Sequence, residues 1–380
     1  MSLSPPIPAD RIVVVMPTWL GDAVMATPFL RALAGLYPQA HIAAVARPLA
    51  VPVLAGLPYV HEVHHADKQN PAATHRWLRS GKFDLGIALP NAFRAAWTLF
   101  RARIPARLGY ARDWRTPLLT HALPAERRTP EQRLADQRKA AAIRRISREL
   151  GRPANPKIGS PFQPAPAIDY YLALAELLGA GPDCDRRMEL AVTPEEASEA
   201  EKVLAAFQMA PDARLVTFVP GANFGGSKCW PPERFGALAD ALIERCDVHI
   251  LIAGSPAERN LVQTILTSAQ RRERVHALAG QASNTGISLG AVKAVVKRSM
   301  LMVCNDTGPR HFAAAFGVPT VTLFGPTDPR WAEPYHSRER IVRIDVPCGP
   351  CQLKKCPIDH RCLTRLTPEM VLAAAGDLLG

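Results

Sequence analysis

Three short stretches of this chain hold residue types that could do chemistry. The first, Pro17-Thr-Trp-Leu-Gly-Asp22, ends on a carboxylate at the head of a helical pattern, where the helix dipole favours the ionised form. An ionised Asp22 can act as a general base; it can also be a plain helix cap, and residue type alone leaves both readings open. Gly21 beside it lets the backbone turn tightly or approach a ligand. The second stretch, 220–231, combines Gly221, Asn223, Gly225, Gly226, Ser227 and Lys228 just before another helix. Backbone N–H groups with one ammonium suit a phosphate, although a flexible surface loop has the same composition. The third, Asn305-Asp306-Thr307-Gly308, joins an apolar run to a helix opened by Pro309. The N–H groups of Thr307 and Gly308 would form an anion seat there, with His311 in the first turn and Asp306 free to accept from hydroxyls. A capping turn with a satisfied histidine is the alternative.

Several chemistries are excluded. The pattern GxxxxGK[ST] is absent, so 220–231 is not a P-loop, and no GxGxxG stands at either first strand–helix junction, which disfavours a dinucleotide oxidoreductase. GxSxG is missing as well, leaving an α/β-hydrolase unsupported.

The elements that must position these loops alternate. Short β-branched runs predict strands at 11–16, 41–46 and 82–89, with helical spacing over 23–36, 50–56 and 170–178. The pattern restarts after 210. Strands are expected at 215–219, 248–253, 275–279, 301–304 and 320–324. Helices are expected at 231–245, 257–269, 289–298, 309–316 and 368–379. Such alternation predicts an α/β fold with parallel sheets in two Rossmann-like domains, and 380 residues suffice for two cores.

The longest nearly apolar run, 312–324, has 13 residues and contains Gly317 and Pro319, whereas a bilayer needs about 20. Residues 1–10 have neither a basic start nor an apolar stretch of signal-peptide length, so the expected location is cytoplasmic. The net charge of +12 favours an anionic partner. Half of that excess lies in residues 126–157, with ten bases against four acids. No zinc finger, nucleotide-stacking motif or basic zipper accompanies it, so nucleic acid is not the expected partner. Arg138, Arg145 and Arg152 recur every seven residues beside Ile143, Ile146 and Leu150. This reads either as a basic amphipathic helix against an anionic inner membrane leaflet or phosphorylated acceptor, or as a solvated helix closing over the first domain.

Of eight cysteines, Cys348, Cys351, Cys356 and Cys362 fall within 15 residues, with His360 close by. Four thiols so near make a candidate zinc site, though the spacing fits no standard pair of CxxC knuckles; reduced, packed thiols are the alternative.

Taken together, PTWLGDAVMATPFLRAL, PGANFGGSKCWPPERFGALA and NDTGPRHFAAAFGVPTVTLFGPTDP resemble the bacterial lipopolysaccharide heptosyltransferases. These are ADP-heptose-dependent enzymes of glycosyltransferase family nine, and the likeness is greatest to the heptosyltransferase II type. It runs in order from Arg11 to about Leu372. The resemblance implies a GT-B architecture of two facing Rossmann-like domains. The acceptor domain would span 1–182 and include the basic insert 126–157. The nucleotide-sugar domain would span 183–367 with the cysteine cluster 348–362, and the last helix, 368–380, could cross back to the first domain. It also implies an inverting transfer of heptose from ADP-heptose to the lipid A–core acceptor. Residue by residue, Asp22 matches the family's loop aspartate, proposed as general base, and Lys228 the lysine that binds donor phosphate. Asp306, Thr307, Gly308 and His311 match the turn that meets heptose and diphosphate, and Glu258 matches the acid that holds the nucleotide ribose. Asn223 stands where the family often has a small or acidic residue. The basic insert is longer than the family leads one to expect.

In such a reaction negative charge grows on the departing diphosphate while the sugar turns cationic. Lys228 and the Thr307–Gly308 N–H groups would meet that charge, and with them in place no metal is required. A family-nine transferase with another sugar or acceptor, or a non-catalytic binder of nucleotide sugars or polyanions, remains the competing expectation.

Overall fold

The computed structural model describes residues 7–67, 69–278 and 287–380. Residues 1–6 of the leader-free start expected above, and residue 279 of the expected strand 275–279, lie outside them. The chain divides into two compact units. One comprises Met1–Arg127, Pro164–Ala191 and Arg330–Tyr335, the other Arg128–Gln163, Val192–Pro329 and His336–Gly380.

The first unit holds six parallel strands: β1 (Arg11–Val15), β2 (His41–Ala46), β3 (Glu62–His65), β4 (Leu85–Ala88), β5 (Ala106–Ala111) and β6 (His121–Pro124). Their order is β3-β2-β1-β4-β5-β6. The central register sets Val13 opposite both Ala43 and Gly86. Covered on both faces, β1 needs the unbroken apolar run IVVV after Arg11 rather than an alternation.

The second unit repeats the plan with β7 (Leu215–Val219), β8 (His249–Ile252), β9 (Val275–Ala277), β10 (Leu301–Asn305), β11 (Thr320–Phe324) and β12 (Glu339–Arg343). The order β12-β11-β10-β7-β8-β9, again all parallel, is the same 3-2-1-4-5-6 winding read from the other edge. In such a sheet the winding reverses beside the first strand, and ligands bind at the carboxyl ends there. In the first unit that is the ground after β1 and β4; in the second, after β7 and β10. All three loops singled out above leave β1, β7 or β10.

Five expectations are corrected. The helix 23–36 is two, Leu20–Met25 and Thr27–Leu36, parted at Ala26. There the Thr27 hydroxyl donates to the Val24 carbonyl (2.8 Å) and accepts the Glu189 N–H (2.9 Å). The strand 82–89 is only Leu85–Ala88, because Lys82 adopts a left-handed φ of 47° as the chain leaves the preceding helix. The basic insert does not belong to the first unit. It forms the helix Pro130–Glu149, and Ile143 and Ile146 enter the second unit's core. Two of the three residues of the stripe expected to meet a membrane are therefore occupied, while Leu150, Arg133, Arg138, Arg144, Arg145 and Arg148 face solvent. The last helix, Pro368–Leu379, packs through Val371 and Ala375 into that same second core.

The first unit also continues past 182, to Ala191. Arg31 on its second helix donates to the carbonyls of Asp185 and Arg187, both at 2.9 Å, and lies 3.3 Å from the Glu189 carboxylate. Among the described residues, no helix is long and apolar enough to cross a membrane.

Candidate functional site

Each unit presents a site of its own at its winding reversal. In the first, Asp22 is the third residue of the helix Leu20–Met25, whose N-cap, Trp19, makes no side-chain cap bond. Asp22 is thus not the N-cap, and its side chain is half-buried. Tyr171, buried, has its pKa pushed well up, by burial first and then by the Asp22 charge. Gly21 is buried in the same turn.

Beyond β4 stands a polar group that sequence reasoning missed. Arg115, without exposed surface, donates to the Pro90 carbonyl and to Asn91 Oδ1, the latter at 3.2 Å. The Tyr170 hydroxyl donates to the same Asn91 oxygen at 2.9 Å, and Tyr170 stacks on Tyr110 at 3.7 Å between centroids. Burial lowers the Arg115 pKa to about 10, leaving it charged at neutral pH. Asn91, Tyr170 and the Tyr110–Arg115 stretch stand far apart in sequence with no shared motif, so no local signal marks the group.

In the second unit, Asn305 at the end of β10 ties the two reversal loops together. Its amide donates to the Pro220 carbonyl (2.5 Å) and its oxygen accepts the Trp230 N–H (3.2 Å). A 3₁₀ turn, Gly226–Lys228, then delivers Lys228 over the next residue of β10's loop. The Lys228 ammonium donates to Asp306 Oδ2 at 2.5 Å and to the Asp306 carbonyl at 3.2 Å. Thr327 donates to the same Oδ2 at 2.6 Å. Burial would raise the Asp306 pKa, but the charges of Lys228 and Arg310 and these hydrogen bonds outweigh it and hold the carboxyl below its ordinary value. An ammonium has three donors, and Asp306 takes two. The Lys228 ammonium also lies 4.8 Å from the Phe224 ring centroid, and the Lys354 ammonium 5.9 Å from it. Lys354 is a second cation beside this loop that sequence reasoning did not assign.

Thr307 and Gly308 accept through their carbonyls from Arg310 and His311 as the helix Arg310–Phe316 begins. No backbone carbonyl among the described residues receives the N–H of either. His311 is 3% exposed, and its Nδ1 is buried with no hydrogen-bond partner among the described residues. Burial first, then the Arg310 charge, lowers its pKa to about 3, so the ring is neutral at pH 7. Arg310 is held by a bidentate pair to Glu339 on β12, at 2.5 and 2.7 Å.

Glu258 is brought to the same place. It closes a capping box on Ser255, whose N–H and hydroxyl donate to Oε2 at 2.7 and 2.8 Å. Its other oxygen lies against Gly221, where an added Cβ would fall 1.8 Å from Oε1. Two expected donor contacts look different. The Ser227 hydroxyl is committed to the Leu353 carbonyl at 2.6 Å, which makes it a brace for the loop. Asn223 is exposed at the loop's tip. Gly225, at φ 150°, passes the Lys354 carbonyl where a Cβ would meet that oxygen at 2.4 Å.

The four clustered cysteines line one cavity of about 20 Å³, together with Ile143 and His360. Among the described residues no three side chains are arranged to hold a metal ion. Burial raises the Cys348 and Cys351 pKa, and burial with the neighbouring thiols takes Cys362 to about 12, so these thiols are protonated at neutral pH.

The profile of glycosyltransferase family 9 (heptosyltransferase) matches residues 138–361. Lipopolysaccharide heptosyltransferase 2 of Salmonella typhimurium is 28% identical over 97% of this chain and 98% of its own. The structure of E. coli ADP-heptose lps heptosyltransferase II superposes with a TM-score of 0.74 at 25% identity, covering 97% of this chain and 98% of that one. A glycosyl transferase family 9 structure from Veillonella parvula matches the fold with a TM-score of 0.75 at 22% identity, over 98% of both chains. The two-sheet α/β fold class expected from the sequence is thereby met.

Proposed function

The chain belongs to glycosyltransferase family 9, and from that premise we propose that it moves heptose from ADP-heptose to the inner core of lipopolysaccharide, inverting the anomeric centre. The observation that carries this reading is the buried Lys228–Asp306 pair at the reversal of the second sheet, set among Glu258, Thr307, Gly308 and His311.

In this mechanism the second unit binds the nucleotide sugar. Glu258 accepts from the ribose, and Lys228 with the Thr307 and Gly308 N–H groups meets the diphosphate. Asp306 holds the Lys228 ammonium charged and oriented. As the bond from the anomeric carbon to the diphosphate oxygen breaks, charge grows on ADP, and these fixed donors favour that state over the ground state. The acceptor hydroxyl attacks from the opposite face, its proton passes to Asp22, and ADP departs with the electron pair. The neutral His311 ring backs this turn from the first turn of the helix Arg310–Phe316. The acceptor is the lipid A–core, and the reaction runs on the cytoplasmic side, where nucleotide sugars are made.

The test is direct. Purified protein is incubated with ADP-heptose and defined heptose-deficient core acceptors, and the products are weighed. One added heptose per acceptor, with ADP released in equal amount, is expected. Unchanged acceptors across the series, or a gain of hexose mass from other donors alone, would overturn the reading.

A further inference from the structure

The helix Phe93–Arg101 of the first unit is apolar on two faces. Inward it buries Ala95, Ala96 and Leu99. Outward it carries Phe93, Trp97 and Phe100, exposed by 46%, 38% and 42%. These three follow the i, i+4, i+7 spacing of one helical stripe and stack in sequence, 6.1 Å from Phe93 to Trp97 and 5.7 Å from Trp97 to Phe100. A continuous row of large rings in water is costly and marks a contact surface.

The surroundings choose the occupant. The Arg101 guanidinium lies over Trp97 (5.9 Å) and that of Arg107 over Phe100 (5.6 Å). Arg94 and Arg103 are exposed, and Arg79 donates to the Arg101 carbonyl at 3.0 Å. Between Asp84 and Asp113 the chain has five arginines and no acid. Asp84 itself is engaged at the sheet's far end, accepting the Asp10 and Arg11 N–H groups. The stretch 85–112 therefore sets exposed rings among arginines with no acid of its own. A second copy of this chain would bring arginines against arginines with no acid between them. The pattern fits an interface where rings enter the headgroup–acyl boundary and guanidinium groups reach phosphate.

We propose that the outward face of the helix Phe93–Arg101 docks the protein on an anionic phospholipid bilayer. Phe93, Trp97 and Phe100 enter the interface, and Arg94, Arg101, Arg103 and Arg107 hold it electrostatically. The basic helix Pro130–Glu149 does not perform this role, since its isoleucines are buried in the second unit. The proposal stands independently of which sugar is transferred.

The experiment is co-flotation of the full chain with vesicles of phosphatidylcholine alone, or of phosphatidylcholine and phosphatidylglycerol mixed about two to one. Binding is expected to the anionic vesicles only, and to fall as salt rises. Trp97→Ser with Phe100→Ser is expected to lower the bound fraction about tenfold, on the scale of removing two buried rings. Arg94→Gln with Arg101→Gln should weaken binding and its salt dependence together. Arg144→Gln with Arg148→Gln, on the other basic helix, should change nothing. All variants should keep the wild-type melting temperature and wild-type turnover on a delipidated acceptor. Undiminished binding by the Trp97→Ser/Phe100→Ser protein, equal binding to neutral vesicles, or loss of a solution dimer in that variant would overturn the proposal.

Discussion

Lys228 holds Asp306 by two oxygens at once, the side-chain Oδ2 at 2.5 Å and the main-chain carbonyl at 3.2 Å. Both side chains are nearly buried, so removing one partner strands a charge. Lys228→Ala is expected to cost about 3–5 kcal/mol of stability as well as about 10²-fold in turnover. Adding Asp306→Asn should restore most of the stability and none of the turnover. Urea midpoints and kcat on the two proteins test this; recovery of both together would make the lysine structural only.

Asp22→Asn keeps the shape of the first reversal loop and removes the base. Turnover should fall about 10²-fold or more while KM for the nucleotide sugar changes little. Near-normal rates with purified substrates would remove Asp22 from that role.

Gly221 passes Glu258 so closely that a methyl group has no room. Gly221→Ala should push the carboxylate aside, raising donor KM about tenfold with a smaller loss in kcat. In a Glu258→Ala background the same substitution should do almost nothing. Additive effects in that double-mutant cycle would show that the carboxylate and the loop do not act together.

His311 gives the protein an acid weakness of known sign. Folded, its pKa is about 3; unfolded, it is near the ordinary 6.5. As pH falls below about 6.5 the unfolded chain takes the proton and the folded one does not. Stability is whole above that value and is lost on the way down at roughly 1.4 kcal/mol per pH unit. His311→Asn should flatten the fall in urea midpoint between pH 6.5 and 5 by about that slope. Identical slopes in the two proteins would refute the assignment.

Much of the architecture is legible in the sequence. The central strands β1, β2, β7, β10 and β11 are apolar runs because both faces are covered, and their loops stand where the winding reverses. No strand is expected from the sequence at β3, β6 or β12, which lie at edges, or at β5, which lies between β4 and β6. Glu62, His64, His121, Glu339 and Arg343 break the apolar signal in the three edge strands, and Arg107 and Gly109 break it in β5. The helix Pro130–Glu149 shows its stripe in sequence, but periodicity cannot say which core receives Ile143 and Ile146. The same limit applies to the site. Lys228 and Asp306 are visible as residue types, whereas their pairing spans 78 positions, and the Asn91–Arg115–Tyr170 group is assembled only by the fold.

The lysine loop does not stand unaided. Its Ser227 hydroxyl donates to Leu353, its Ser227 N–H reaches the Lys354 carbonyl, and its Ser227 carbonyl meets the His360 ring. All three partners belong to the segment whose thiols surround the 20 Å³ cavity. The cysteine-rich stretch is thus the mould in which the cationic turn is cast, and damage to a thiol that never meets a sugar would still be felt as a misplaced ammonium.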